Sequence, residues 1–202
     1  AVGVTSTDLL EPNKESTGES LSQSTPVSGI SSIDSSDNEP LELGQNILSV
    51  YAVDNAKAIG LIVQSAELNP EEAMHFVFDM HQTNQNLTTE FLIDLGENNP
   101  RTAAIILNEA IGYDLPVASK LLIGLIQQNT EFTLQFLNYI SENYPGASNT
   151  YQDLLVQSIK EDHVNMAAFV DEIGITINTT NKNFQDIVGN SLIRLISEDM
   201  ET

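Results

Sequence analysis

Asn99-Pro100-Arg101-Thr102-Ala103-Ala104-Ile105-Ile106-Leu107-Asn108-Glu109-Ala110-Ile111-Gly112-Tyr113, closed by Asp114, is the stretch whose reading decides the fold. Asn99 is a short polar residue whose side-chain oxygen can accept a hydrogen bond from a backbone N–H left orphaned at a helix start. Pro100 follows at the first helical position, where its missing N–H costs nothing. The fourth, seventh, eighth and eleventh residues after Asn99 are Ala103, Ile106, Leu107 and Ala110, which share one face of an α-helix. Asp114 then begins the pattern again, fifteen residues on.

The same unit recurs in both directions. Cap residues return at Asp54, Asn69, Asn84, Asn99, Asp114 and Asn129. Four residues after each cap stands a small side chain: Ala58, Ala73, Thr88, Ala103, Ala118 and Thr133. The seventh and eighth positions are apolar in all six units, as in Phe76-Val77, Phe91-Leu92 and Phe136-Leu137. Each unit therefore reads as one amphipathic helix of about three turns with a tight connection. A helix so short is unstable alone in water, so its stripe must be covered by its neighbours. Short connections make successive helices antiparallel, and two units form a hairpin of thirty residues. The expected class is all-α, an α-solenoid of stacked hairpins with a continuous core.

The register slips by three residues across Tyr144-Pro145-Gly146-Ala147 and resumes with Leu154, Leu155 and Ser158. Asp162 caps the next unit, whose stripe is Phe169, Val170 and Ile173. A second slip falls in residues 174–179, before a last helix around Phe184, Ile187, Val188, Ser191 and Leu195. With one further helix from about Leu41, roughly nine helices are expected over 41–200. The run Asn99 to Leu107 resembles the helical-repeat regions of bacterial magnesium-transporter cytosolic domains. No further motif of that family accompanies it, so the resemblance implies a style of repeat and no function.

Residues 1–40 differ in kind from the helical-repeat domain, 41–202. They are dominated by Ser, Thr, Gly, Pro and acids and are expected to be a tail that is disordered in isolation, since too little apolar area is present to offset backbone entropy. Leu9, Leu10, Leu21, Val27, Ile30 and Ile33 are scattered through it at spacings that fit no helix. They are candidate contacts for docking an extended chain on a partner, against the simpler reading of a spacer.

Seven Lys and Arg stand against 29 Asp and Glu in 202 residues, a net charge of −22. Such a field repels DNA and RNA, which removes nucleic-acid binding, and attracts basic partners and divalent cations. A solvated acidic surface also accounts for it. Asp34-Ser35-Ser36-Asp37-Asn38-Glu39 is the dense oxygen cluster where weak divalent-cation binding is to be sought, although EF-hand spacing is absent. With no cysteine, disulfides, thiolate metal sites and Cys nucleophiles drop out. No apolar run is long enough for a membrane span. The start at Ala1-Val2-Gly3-Val4 suits a processed, exported protein or a fragment boundary.

Nothing in the chain assembles into catalysis. The histidines are His75, His81 and His163. His75 and His81 are six apart and share no helix face, and all three read as surface or rim residues. Glu71 and Glu72 are explained by a helix N-terminus, where the macrodipole favours negative charge, and Glu161-Asp162 similarly precede a helix. Asp171 is the acid nearest an apolar stripe, and nothing pairs it with a base. Zinc-protease, phosphate-loop and nucleophile-elbow motifs are missing, and no cofactor is implied. Asn86-Leu87-Thr88 and Asn178-Thr179-Thr180 match the glycosylation sequon, but local structure explains both.

The expected function is that of a non-enzymatic structural protein. It would be a subunit of an extracellular or cell-surface assembly of copies of itself, joined through solenoid ends and the tail, with Ile193, Leu195 and Ile196 of the last helix as further candidate contacts. The alternative is a monomeric solenoid adaptor that binds a peptide or a basic protein segment.

Overall fold

The computed structural model describes residues 40–176 and 180–200, all within one unit, Asn38–Thr202. The tail candidates Leu9, Leu10, Leu21, Val27, Ile30 and Ile33 lie outside the described residues, as does the acidic cluster around Asp34. The ten helices are α1 (Pro40–Tyr51), α2 (Asn55–Leu68), α3 (Pro70–Thr83), α4 (Gln85–Asn98), α5 (Pro100–Tyr113), α6 (Leu115–Gln128), α7 (Thr130–Asn143), α8 (Ser148–Glu161), α9 (His163–Thr176) and α10 (Lys182–Met200). No strand occurs among the described residues. Ten helices stand where roughly nine were expected; α8, marked in the sequence by Leu154, Leu155 and Ser158, starts after Ala147 without a side-chain cap bond.

From α2 to α7 each helix has fourteen residues and a single residue joins it to the next. That residue serves two helices at once. The Asn84 backbone N–H donates to the Met80 carbonyl at 2.8 Å, closing α3. Its side-chain oxygen accepts from the Leu87 N–H at 3.1 Å, opening α4. Asp54, Asp114 and Asn129 accept in the same way from Lys57, Val117 and Phe132 at 3.0 Å each. Asn69 does so at a longer 3.5 Å, from Glu72. Asn99 closes α4 with its backbone but makes no side-chain bond to α5. All six caps leave the helical backbone region, with φ between −141° and −155°, and this reverses the chain within one residue. Asp162 plays the same part before α9, accepting from the Asn165 N–H at 3.1 Å.

The small residue four places after each cap is buried in every unit: Ala58, Ala73, Thr88, Ala103, Ala118 and Thr133. Where Thr replaces Ala, its hydroxyl donates to the cap carbonyl, Thr88 to Asn84 and Thr133 to Asn129, both at 2.8 Å. The hydroxyl is thereby satisfied within its own helix, so it can enter the core. The stripe behind it forms one continuous core from Ile47 to Val188, with Phe91, Phe169 and Phe184 among its fully buried side chains. Leu61 and Phe76 are exceptions to the stripe, being half-buried.

The helices stack in two layers. In one, α1 lies against α3 and α3 against α5; in the other, α2, α4, α6, α8 and α10 follow in order. This is an α-solenoid of antiparallel helices. The first slip is a 3-10 turn, Pro145–Ala147, between α7 and α8. After the second, Asn181 caps α10 by accepting from the Phe184 N–H at 2.9 Å, while its own N–H donates to Asn138 Oδ1 at 2.8 Å and so pins α10 to α7. Lys160 Nζ also meets Glu198 Oε2 at 2.5 Å, and Arg194 pairs with Asp153 and Glu198, tying α10 to α8. At the other end α1 presses directly on the α3 backbone. A Cβ on Gly44 would stand 2.5 Å from Asp79 Cβ and 2.6 Å from the Met80 nitrogen.

Two consequences can be measured by urea unfolding. Gly44→Ala must push α1 off α3 and is expected to cost about 1–3 kcal/mol, the usual scale for overpacking. Asn84→Ala should cost about 1 kcal/mol as a lost cap, and Asn99→Ala clearly less, because the Asn99 side chain caps nothing. Equal losses for the two Asn variants would refute the dual-cap account.

Candidate functional site

The repeat leaves grooves between helices two places apart in the chain. The groove between α2 and α4 has a volume of about 480 Å³, that between α4 and α6 about 530 Å³, and that between α7 and α9, with α6 at its edge, about 710 Å³. One wall always uses the first, second, fifth and sixth residues after the cap. These are Asn55, Ala56, Ile59 and Gly60 on α2; Gln85, Asn86, Thr89 and Glu90 on α4; and Thr130, Glu131, Leu134 and Gln135 on α7. The facing wall uses the tenth and fourteenth: Asp94 and Asn98, Gly124 and Gln128, Glu172 and Thr176. The wall positions flank the core stripe: Ile59, Thr89 and Leu134 are buried, whereas Asn86, Glu90 and Glu131 are exposed to solvent. Gln127 contributes to both the α4/α6 and the α7/α9 grooves.

Carboxylates and carboxamides recur on these walls beside apolar residues, and several are held in place. Asp94 accepts from the Tyr51 hydroxyl at 2.6 Å and from Asn55 Nδ2 at 3.2 Å. Burial and the Asp94 carboxylate push the Tyr51 phenol far above its ordinary range, so it remains a hydrogen-bond donor. At the edge of the third groove Asp162 accepts from Asn165 Nδ2 at 2.6 Å and from Gln127 Nε2 at 3.2 Å. These bonds, the Asn165 ones foremost, hold the Asp162 carboxyl below the usual range.

The α4/α6 groove differs from the other two. It alone of the three is lined by basic side chains, Lys120 and His81. Gly124 allows α6 to approach α4 closely there; a Cβ would meet Thr89 Oγ1 at 2.8 Å. His81 corrects the expectation of a surface or rim residue, being only 7 % exposed. It sits in the last turn of α3, on the side that the next layer covers, so its place in the helix could not reveal its burial. Neither ring nitrogen has a hydrogen-bond partner. Burial, with a smaller contribution from Lys120, holds its pKa below the ordinary histidine value, so the ring is neutral at neutral pH.

The other sequence candidates are dispersed. His75 Nε2 lies 3.9 Å from Glu71 Oε1 on the same helix and packs edge-on against Tyr113. Glu71 and Glu72 occupy the first turn of α3, and His163 and Asp171 are exposed on α9. Glu161 precedes α9 as expected and also ends α8, where Oε2 accepts from the buried Ser119 hydroxyl at 3.0 Å. Of the two sequon asparagines, Asn86 lies in the first turn of α4, and Asn178 falls outside the described residues. Ile193 and Ile196 are exposed on α10, at 64 % and 61 %, together with Met200 at 82 %, whereas Leu195 is half-buried. Among the described residues no group of three His, Cys, Asp or Glu is placed to hold a metal ion, and no helix is long and apolar enough to cross a membrane. No family model matches the chain, nor does any curated protein or solved structure.

His81 has a measurable effect on stability. A buried ring with two unmatched nitrogens costs free energy, so His81→Met, of similar volume and without polar nitrogens, is expected to gain about 1 kcal/mol at pH 7. The folded pKa is depressed, so below the ordinary value of 6.5 the unfolded chain takes up a proton that the folded chain refuses. Stability therefore falls as pH drops from 6.5 towards the folded pKa, and the His81→Met variant should lose this slope. Urea midpoints between pH 7.5 and about 5 test both; a variant less stable than the parent would refute the orphan account.

Proposed function

We propose that the protein is a non-enzymatic binding module whose grooves take an extended, basic segment of a partner protein. The recurrence of one wall register in three grooves carries this reading, because a periodic ligand such as a peptide can use a periodic set of sites. Side-chain carboxamides carry both donors and acceptors and match the amides of an extended chain. Glu90, Glu131, Glu172 and the fixed Asp94 supply the charge for Lys and Arg side chains. The net charge of −22 would draw such a segment in from a distance. A flexible acid-rich surface would serve as well for solubility, but Asp94 is held by two hydrogen bonds and is pre-organised.

Replacing Glu131 and Glu172 together by Gln, both on exposed positions, should weaken binding of a Lys-rich peptide several-fold without changing helicity. Calorimetry at rising salt should show affinity falling. Salt-independent binding, or binding indifferent to these acids, would count against the reading.

A second reading, self-assembly, is favoured by one observation. Ile193, Ile196 and Met200 form an exposed apolar stripe on the last helix, where no further repeat follows among the described residues. An extracellular or cell-surface place for such an assembly rests on the acidic, cysteine-free composition alone. If α10 joins copies, Ile193→Lys with Ile196→Lys will turn an oligomer into a monomer in sedimentation experiments. A parent chain that is monomeric at high concentration would dispose of this reading.

A further inference from the structure

We infer that the α4/α6 groove is a carboxylate site that receives the C-terminal residue of a peptide, with Lys120 and His81 as its recognition pair. The inference rests on the reading of the grooves as peptide sites and deepens it. Of the three grooves this one carries cationic capacity, through Lys120, in a chain that holds only seven Lys and Arg. Lys160 and Arg194 are engaged in ion pairs on α8 and α10, whereas Lys120 is exposed at the groove.

His81 is the second and independent observation. It lines the same groove, is 7 % exposed, and leaves both ring nitrogens without a partner. Buried polar atoms are nearly always satisfied, so an unmatched pair marks a place where a partner is missing. The torsion that turns an imidazole about its bond to Cβ is broad, so rotation of the ring can present a nitrogen to the groove at little cost. A neutral imidazole offers one N–H donor and one acceptor nitrogen. The carboxylate that ends a peptide is an acceptor for the ring N–H turned into the groove. Lys120 supplies the charge for that carboxylate, and the carboxamides of Gln85 and Gln127 face the amides that precede it.

The charge balance selects a chain end over a free organic acid. A small anion is repelled by a surface of net charge −22, while a peptide with basic residues ahead of its terminus is attracted by the same surface. Glu90, on the same groove, is placed for such a residue.

The test uses the full chain and an N-acetylated octapeptide of alternating lysine and glycine, made with a free C-terminus and as the C-terminal amide. Calorimetry gives the affinities, and the His81 ring resonances, assigned with His81→Gln, report the site. The acid is expected to bind at least about tenfold tighter than the amide, the equivalent of one charge-assisted hydrogen bond. Lys120→Met, at an exposed position, should erase that preference, so that acid and amide bind alike. The His81 resonances should move with the acid alone. Equal binding of acid and amide would overturn the terminal-carboxylate assignment and leave the peptide grooves standing. Binding of neither would sink both. Acetate that moves the His81 resonances as far as the peptide acid does would show that any small carboxylate suffices, which overturns the chain-end assignment.

Discussion

A connection of one residue is the constraint on which the rest of this molecule depends. Between α2 and α7 there is room for a single side chain to finish one helix and begin another, and only a short oxygen-bearing residue does both well. Its backbone N–H completes the last turn behind it, as Asn84 does for Met80. Its non-helical φ/ψ turns the chain through a reversal with no loop to adapt. Because no slack exists, every helix must have the same length, and fourteen residues give each a rise of about 21 Å. Equal helices in fixed antiparallel order then stack in two layers, and the buried small residue near each helix start sets how closely they meet.

This rigidity also creates the grooves. The groove walls run from buried residues beside the core stripe, such as Ile59, Thr89 and Leu134, out to residues open to solvent. The open positions are free to vary, and here they are rich in Asn, Gln, Asp and Glu. The large surplus of acids is poorly neutralised within the fold. The cations on α8 and α10 join the last helix to its neighbour, and exposed ion pairs of that kind add little stability.

Much of the fold was legible in the chain because caps, small residues and stripes recur at one period, and each is a local signal. The 3-10 turn at Pro145–Ala147 stands at the slip in that period, so even the irregularity announced itself. The helix α8 announced itself by its stripe, Leu154, Leu155 and Ser158, and not by a cap, since it begins after Ala147 with no side-chain cap bond. Leu61 and Phe76 fall on the stripe and yet stay half-buried, since a stripe gives direction but not how far the neighbouring helix reaches. The groove residues were less legible: polar positions beside a stripe read as solvated whether or not a partner uses them.

By itself the sequence determined the length of each helix, its start, its buried face and the antiparallel alternation, because these follow from hydrogen bonds and periodicities within about fifteen residues. Only the tertiary structure decided which helices become neighbours within a layer. That decision buried His81 with both nitrogens unmatched, brought Lys120 to the same groove, and set Tyr51 against Asp94, forty-three residues away. Such pairings rest on the small rotation and separation between repeats, quantities summed over many side chains and carried by no single motif.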